Sequence, residues 1–237
     1  MPSTLLPRSV RLLLVIVPAL VLLASCGGDD EPAATSTSTT ATAGGDHSGH
    51  GTSGNMGIEP GTVADVAALG AGPRVGDRWE VPVGLNICGR FVDAPAGGPV
   101  DGVTAAAGAK AIVEPTDDAT SGHGATLGSY AAAAGVTLST GRIELPSGIV
   151  PAEIEVEDTD VSLDGASFST GDRCGSTAAE VQVWVYSAEA VASGEGILTV
   201  VEDPEQVPFA QEGMALVIAL TPESSLPTLP PSALGLG

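Results

Sequence analysis

From Trp79 onward the apolar residues fall into short alternating runs, and this pattern constrains the fold more than any other feature of the chain. Trp79, Val81, Val83, Leu85 and Ile87 alternate with Glu80, Pro82, Gly84, Asn86 and Cys88, the period-two signature of a strand with one buried face. Pro82 lacks a backbone N–H, which predicts an edge position or an early strand residue. Val181, Val183 and Val185 alternate with Gln182, Trp184 and Tyr186, a second strand of the same type. Met214 to Leu220 is a continuous apolar run, as expected of a central strand covered on both faces. Weaker strands are predicted at Lys110 to Val113, Arg142 to Leu145, Ile154 to Val156, Val161 to Leu163 and Ile197 to Val201. One clear helix is predicted over Ala125 to Ala134, where Leu127, Tyr130, Ala131 and Ala134 recur at helical spacing and Gly135 follows as a cap. The fold class expected is therefore α+β: a small mixed β-sheet domain with one main helix.

The same pattern sets the domain boundaries. Residues 27 to 72 are rich in Gly, Ser, Thr, Ala and Asp, with almost no bulky apolar side chain before Val63. Such a stretch does not bury enough apolar area to offset its ordering entropy, and it reads as a flexible tether. Roughly 35–40 Å is the random-coil reach of a segment this long. A short helical turn is conceivable at Val63 to Leu69. The domain is expected over 73–222, and Pro227, Pro230 and Pro231 mark 223–237 as a disordered tail. The chain has only two Trp, two Tyr and three Phe, so its core must be built from Val, Leu, Ile and Ala. A core of that kind gains from a covalent staple.

Acidic residues number 29 and basic residues 8. This balance excludes nucleic acid as a partner, since phosphate recognition needs Lys and Arg. It suits a solvated surface kept soluble by self-repulsion, with attraction of a cation or a basic partner as the sharper reading.

Upstream of the tether, Arg8 and Arg11 precede an apolar stretch, Leu12 to Leu23, interrupted by Pro18. It is shorter than the roughly 20 residues that span a bilayer and suits the apolar region of an export signal. Leu23, Ala24, Ser25 and Cys26 follow directly. These four residues resemble the bacterial lipobox. The resemblance implies cleavage after residue 25, a diacylglycerol on the Cys26 sulfur and a lipid membrane as partner. The expected location is the outer face of the cell membrane. Removing 1–25 leaves 6 basic and 29 acidic side chains, a formal charge of 6 − 29 = −23.

With Cys26 assigned to lipid, Cys88 and Cys174 remain. In an oxidising compartment they are a plausible disulfide between neighbouring elements, closing 174 − 88 = 86 residues. Chain entropy would make that closure worth roughly 4–5 kcal/mol. The alternative is a reactive or metal-binding thiol pair, although no CxxC spacing occurs.

No catalytic constellation can be assembled. A nucleophile triad needs a histidine base, and only His47, His50 and His123 exist. The first two fall in the tether, and His123 reads as an exposed residue just before the helix. Asp158, Asp160 and Asp164 invite a calcium loop, but Leu163 stands where that loop needs glycine. Alternating Glu153 and Glu155 fit a solvated strand face better. No cofactor is expected. One sharper ligand set is His47, His50 and Met56, whose imidazoles and thioether suit copper.

Four segments carry a further resemblance: Gly84 to Gly89, Asp101-Gly102 with Pro115 thirteen positions later, Ala125 to Tyr130, and Val181 to Val185. Together they resemble a family of uncharacterised, membrane-attached or secreted actinobacterial proteins over roughly Trp79 to Leu220. The resemblance implies the fold, the disulfide and the surface location. In that family the segment opening with Asp-Gly carries alternating histidines that imply a metal site. Here Thr104, Ala106, Ile112 and Glu114 occupy the matching positions, so the resemblance implies no metal function for this chain. The expected function is a non-enzymatic lipoprotein domain that binds or supports an unidentified envelope protein or ligand, with copper handling through the tether as the alternative.

Overall fold

The computed structural model describes residues 57–235. Cys26, His47, His50, Met56 and the export segment lie outside them. In chain order the elements are β1 (Ile58–Pro60), α1 (Val63–Ala67), β2 (Trp79–Ile87), β3 (Arg90–Val92), β4 (Gly97–Val100), β5 (Val103–Ala106), β6 (Lys110–Val113) and α2 (Leu127–Ala133). There follow β7 (Thr137–Ser139), β8 (Arg142–Glu144), β9 (Glu153–Val156), β10 (Thr159–Ser162), β11 (Ser167–Ser169), β12 (Arg173–Cys174) and β13 (Thr177–Ala178). The last are β14 (Glu180–Tyr186), α3 (Ala188–Ser193), β15 (Ile197–Val200) and β16 (Ala215–Thr221). The α+β expectation holds at the coarse level, but the fold is predominantly β. Two short helices, α1 and α3, accompany α2, which remains the longest at seven residues.

A nine-stranded sheet organises the domain, in the order β1-β15-β14-β16-β2-β6-β5-β4, with β3 also paired to β2. It is mixed: β14 and β16 are antiparallel over seven pairs, whereas β16 with β2 and β1 with β15 run parallel. The apolar run expected to be central is β16, and all seven of its residues are buried. Its alternate residues feed two cores. Leu216, Ile218 and Leu220 join Val183, Leu85 and the residues under α2, while Ala215, Val217 and Ala219 join Trp184 and Tyr186 on the opposite face.

Three expectations are narrowed or corrected. First, of the two positions that Pro82 allowed, the edge is not the one found, because β2 lies between β16 and β6; Pro82 is instead an early residue of the strand, fourth of nine. Val83 N–H donates to Ala109 O on the β6 side. By alternation the Pro82 nitrogen faces β16, where pairing starts only at Val83 opposite Leu216, so no ladder bond is lost.

Second, ordered structure begins well before residue 73. β1 pairs with β15, and Val66 of α1 is fully buried. Thr62 caps the helix: its Oγ1 accepts from Asp65 N–H at 3.3 Å, and the Asp65 carboxylate accepts from Thr62 N–H at 2.8 Å. Hydrogen bonds donated to the Asp65 carboxylate by the Thr62 hydroxyl, at 2.7 Å, and then by the Thr62 N–H hold that carboxyl below its usual range. The tether reading therefore does not extend to residue 72.

Third, residues 223–235 are not a disordered tail. Leu229 and Ala233 pack against Trp184, Val217 and Ala219, and Ser232 Oγ donates to Ala109 O at 2.8 Å. The proline-rich end forms the cover of the second core. At Gly84, a Cβ would stand 2.7 Å from the Phe91 ring and 2.9 Å from Pro230, so only glycine admits that cover.

Cys88, just past β2, and Cys174, at the end of β12, are joined as a disulfide with Cα atoms 5.2 Å apart. It ties the main sheet to the β12–β13 hairpin. α2 is capped by Thr126, whose Oγ1 accepts from Ser129 N–H. Gly135 ends it with a φ of 72°, as the cap reading expected.

Candidate functional site

The second sheet face carries the site. Along β14, alternation turns Val181, Val183 and Val185 toward the larger core, leaving Glu180, Gln182, Trp184 and Tyr186 on the other side. Ile58 and Pro60 of β1 and Thr199 of β15 continue that face, and residues 223–227 rise opposite it. Between them lies a cavity of about 400 Å³. Trp184 closes its inner end and is 2% exposed. Gln182 is also buried, and its amide is oriented by donation from Nε2 to Thr221 Oγ1 at 3.0 Å. Glu180 and Glu223 are the charged groups of the lining, and no basic side chain lines it. The arrangement offers apolar walls with a polar, negatively charged rim, the form of a small-molecule site.

Tyr186 lies beyond Trp184 on the same strand. Its hydroxyl is buried without a hydrogen-bond partner, and burial pushes its ionisation up. On α2, burial and then the nearby Asp93 charge push the Tyr130 phenol up to about 12. Both stay neutral at physiological pH.

Other cavities of similar size occur, among them one of about 440 Å³ along α2. A shallow one of about 390 Å³ lies beside the disulfide, with Arg90, Glu155 and Glu157 at its rim. The cavity along α2 follows its small side chains, and there Glu205 Oε2 is buried without a partner.

The residues singled out in the sequence fall as follows. Thr104 and Ile112 are direct cross-strand partners on β5 and β6. With Ala106 and Glu114 they share one outward-facing side of the hairpin, opposite the buried Val103, Ala105, Ala111 and Val113. The alternation expected of that segment is present, and Glu114 forms an ion pair with Arg78. His123 sits in an exposed loop before α2, with Nε2 2.7 Å from Gly70 O. Asp164 accepts from Gly148 N–H at 2.6 Å, so it organises a loop. Glu153 and Glu155 are exposed and alternate with the buried Ile154 and Val156, a solvated strand face. Among the described residues no three His, Cys, Asp or Glu side chains converge as a metal site, and no helix is long and apolar enough to cross a membrane.

The cavity was not legible as a site in the sequence. Its polar side chains on β14 look like a solvated face. Two aromatics at Trp184 and Tyr186, beside an apolar run at Met214 to Leu220, were the available signal that this face is covered.

No family model, no curated protein and no solved structure matches this chain.

Proposed function

We propose that this chain is an exported lipoprotein, anchored by Cys26 to the outer face of the cell membrane, whose domain binds a ligand or an envelope partner rather than turning over a substrate. The observation that carries the proposal is the use of cysteine. Cys88 and Cys174 are bonded to each other, a state that belongs to oxidising compartments. Cys26 is then the one cysteine without a cysteine partner in the chain, and it stands directly after an export-type apolar stretch and Leu23-Ala24-Ser25. A binding role is favoured by the cavity on the second sheet face, which combines apolar walls with a few convergent polar groups.

The test replaces Cys26 with Ala and follows the protein by detergent phase partitioning, with the mass of the mature N-terminus measured alongside. The unsubstituted protein is expected in the detergent phase with acyl mass on Cys26, and the variant in the aqueous phase. A variant that still enters the detergent phase as the parent does would overturn anchoring at Cys26.

A second reading, copper handling, rests on His47, His50 and Met56 lying within ten residues of one another. A copper titration of the protein with both histidines changed to Ala decides it: an unchanged affinity removes these residues as the ligands.

A further inference from the structure

We propose that the cavity between β14 and residues 223–227 binds a small organic cation, an ammonium or guanidinium group carried on an apolar body. This deepens the binding role proposed above and rests on it.

The size fits: about 400 Å³ lies within the range of small-molecule sites, roughly 300–1,000 Å³. The walls divide by chemistry. Trp184, Ile58, Val201 and Leu226 supply apolar surface, and Glu180 and Glu223 supply charge. The two carboxylates come from different elements, β14 and the C-terminal segment, so their shared cavity is a product of the fold and not of a local acidic run. Neither takes part in any of the three ion pairs found among the described residues.

Charge complementarity selects the ligand class. An anion would meet two carboxylates with no countercharge in the lining. A neutral apolar molecule would fill the walls but gain nothing from the two carboxylates, of which Glu180 is half-buried and Glu223 exposed. A cation satisfies them by charge-assisted hydrogen bonds, while the indole of Trp184, only 2% exposed, serves as part of the apolar wall. Gln182, held in place by Thr221, adds a fixed polar group to the inner wall. At the mouth, Leu226 is 55% exposed, an apolar surface for the body of the ligand to cover.

The chain supplies its own reporter, because it has only two tryptophans. Trp79→Phe leaves Trp184 as the sole fluorophore, and Trp79 does not line the cavity. The full chain carrying this change, held in nanodiscs of zwitterionic lipid, is titrated with 4-phenylbutylammonium and with its neutral counterpart 4-phenylbutanol. A saturable change in Trp184 emission is expected with the ammonium. The alcohol is expected to bind at least about tenfold more weakly, as the loss of charged hydrogen bonds implies. Glu180→Gln and Glu223→Gln should each weaken the ammonium several-fold and leave the alcohol unchanged. Both changes are at solvent-accessible side chains, and an unaltered melting temperature shows that folding is intact.

Absence of a saturable response to the ammonium overturns the proposal. So does equal binding of the alcohol, or indifference of the ammonium to both glutamine variants. Anchoring is read separately by the partitioning of Cys26→Ala. A failed titration beside intact anchoring removes the ligand class alone, and if anchoring fails the same titration is read on the full chain free in buffer.

Discussion

Individual buried polar groups in this domain have opposite consequences according to whether they are partnered. Tyr186 buries its hydroxyl with no partner, and such a group carries a desolvation cost of about 1–3 kcal/mol. Tyr186→Phe is therefore expected to leave stability unchanged or raise it by about 1 kcal/mol, measured by urea denaturation. A loss of that size would show that the hydroxyl has a partner. The ionisation of these phenols also sets an alkaline limit. Tyr130 is pushed up to about 12 from an ordinary value near 10.0. Below pH 10 both folded and unfolded chains hold the proton, and the full stability is present. Above it the unfolded chain releases the proton first, so it binds fewer protons than the native state and stability falls with rising pH. Tyr186 is shifted in the same direction and adds to the fall. Denaturation midpoints should therefore drop steadily between pH 10 and 12, and Tyr130→Phe should drop less. A flat profile across that window would contradict the burial of both rings.

Elements differ in how plainly their residues announce them. β16 was legible because seven consecutive apolar residues have no place except between two cores, and β14 because its valines repeat at period two. α2 was legible through its spacing and its terminal glycine. β1 was not, because Ile58, Glu59 and Pro60 are held by backbone hydrogen bonds to β15 and contribute little apolar area. The C-terminal segment was hidden for a different reason. Clustered prolines disfavour a helix interior and most ladder positions of a strand, which suggests disorder, yet a proline-rich chain with one 3-10 turn at Pro231–Ala233 lays Leu229 and Ala233 against the sheet. Pro82 left an edge or an early strand position open, and the early position holds because β2 changes partners at that residue, from β6 to β16. The cover has a measurable consequence. Burying one apolar side chain is worth roughly 1.5–3 kcal/mol, and a chain ending at Pro222 uncovers Val217, Ala219 and Trp184 together. That truncation should lower the melting temperature by several degrees and promote self-association of the exposed face, read by calorimetry and light scattering. An unchanged melting temperature in a monomeric truncated chain would return residues 223–235 to the status of a tail.

At the scale of the whole molecule, charge is the dominant imbalance. The described residues hold 25 acidic and 6 basic side chains. Only three ion pairs occur among them: Arg78 with Glu114, Lys110 with Glu80, and Arg142 with Glu144. All involve substantially exposed side chains, and pairs of that kind contribute about 1 kcal/mol or less. Most carboxylates therefore face solvent without a countercharge, and folding draws them together. The resulting self-repulsion is stronger in the compact native state than in the extended unfolded chain, so screening should favour the native state. The screening length falls from about 30 Å at 0.01 M salt to about 8 Å at 0.15 M, from the dimension of the domain to that of adjacent side chains. Melting temperature at neutral pH should accordingly rise by a few degrees over that range and change little above it. Sodium and potassium chloride should act alike, because the effect is one of ionic strength and not of a bound ion. If the melting temperature instead falls with added chloride, specific ion pairs outweigh the net repulsion and the three exposed pairs have been undervalued. If sodium and potassium differ at equal ionic strength, a cation is being held at a defined place, and the Glu180–Glu223 cavity is the first location at which to look for it.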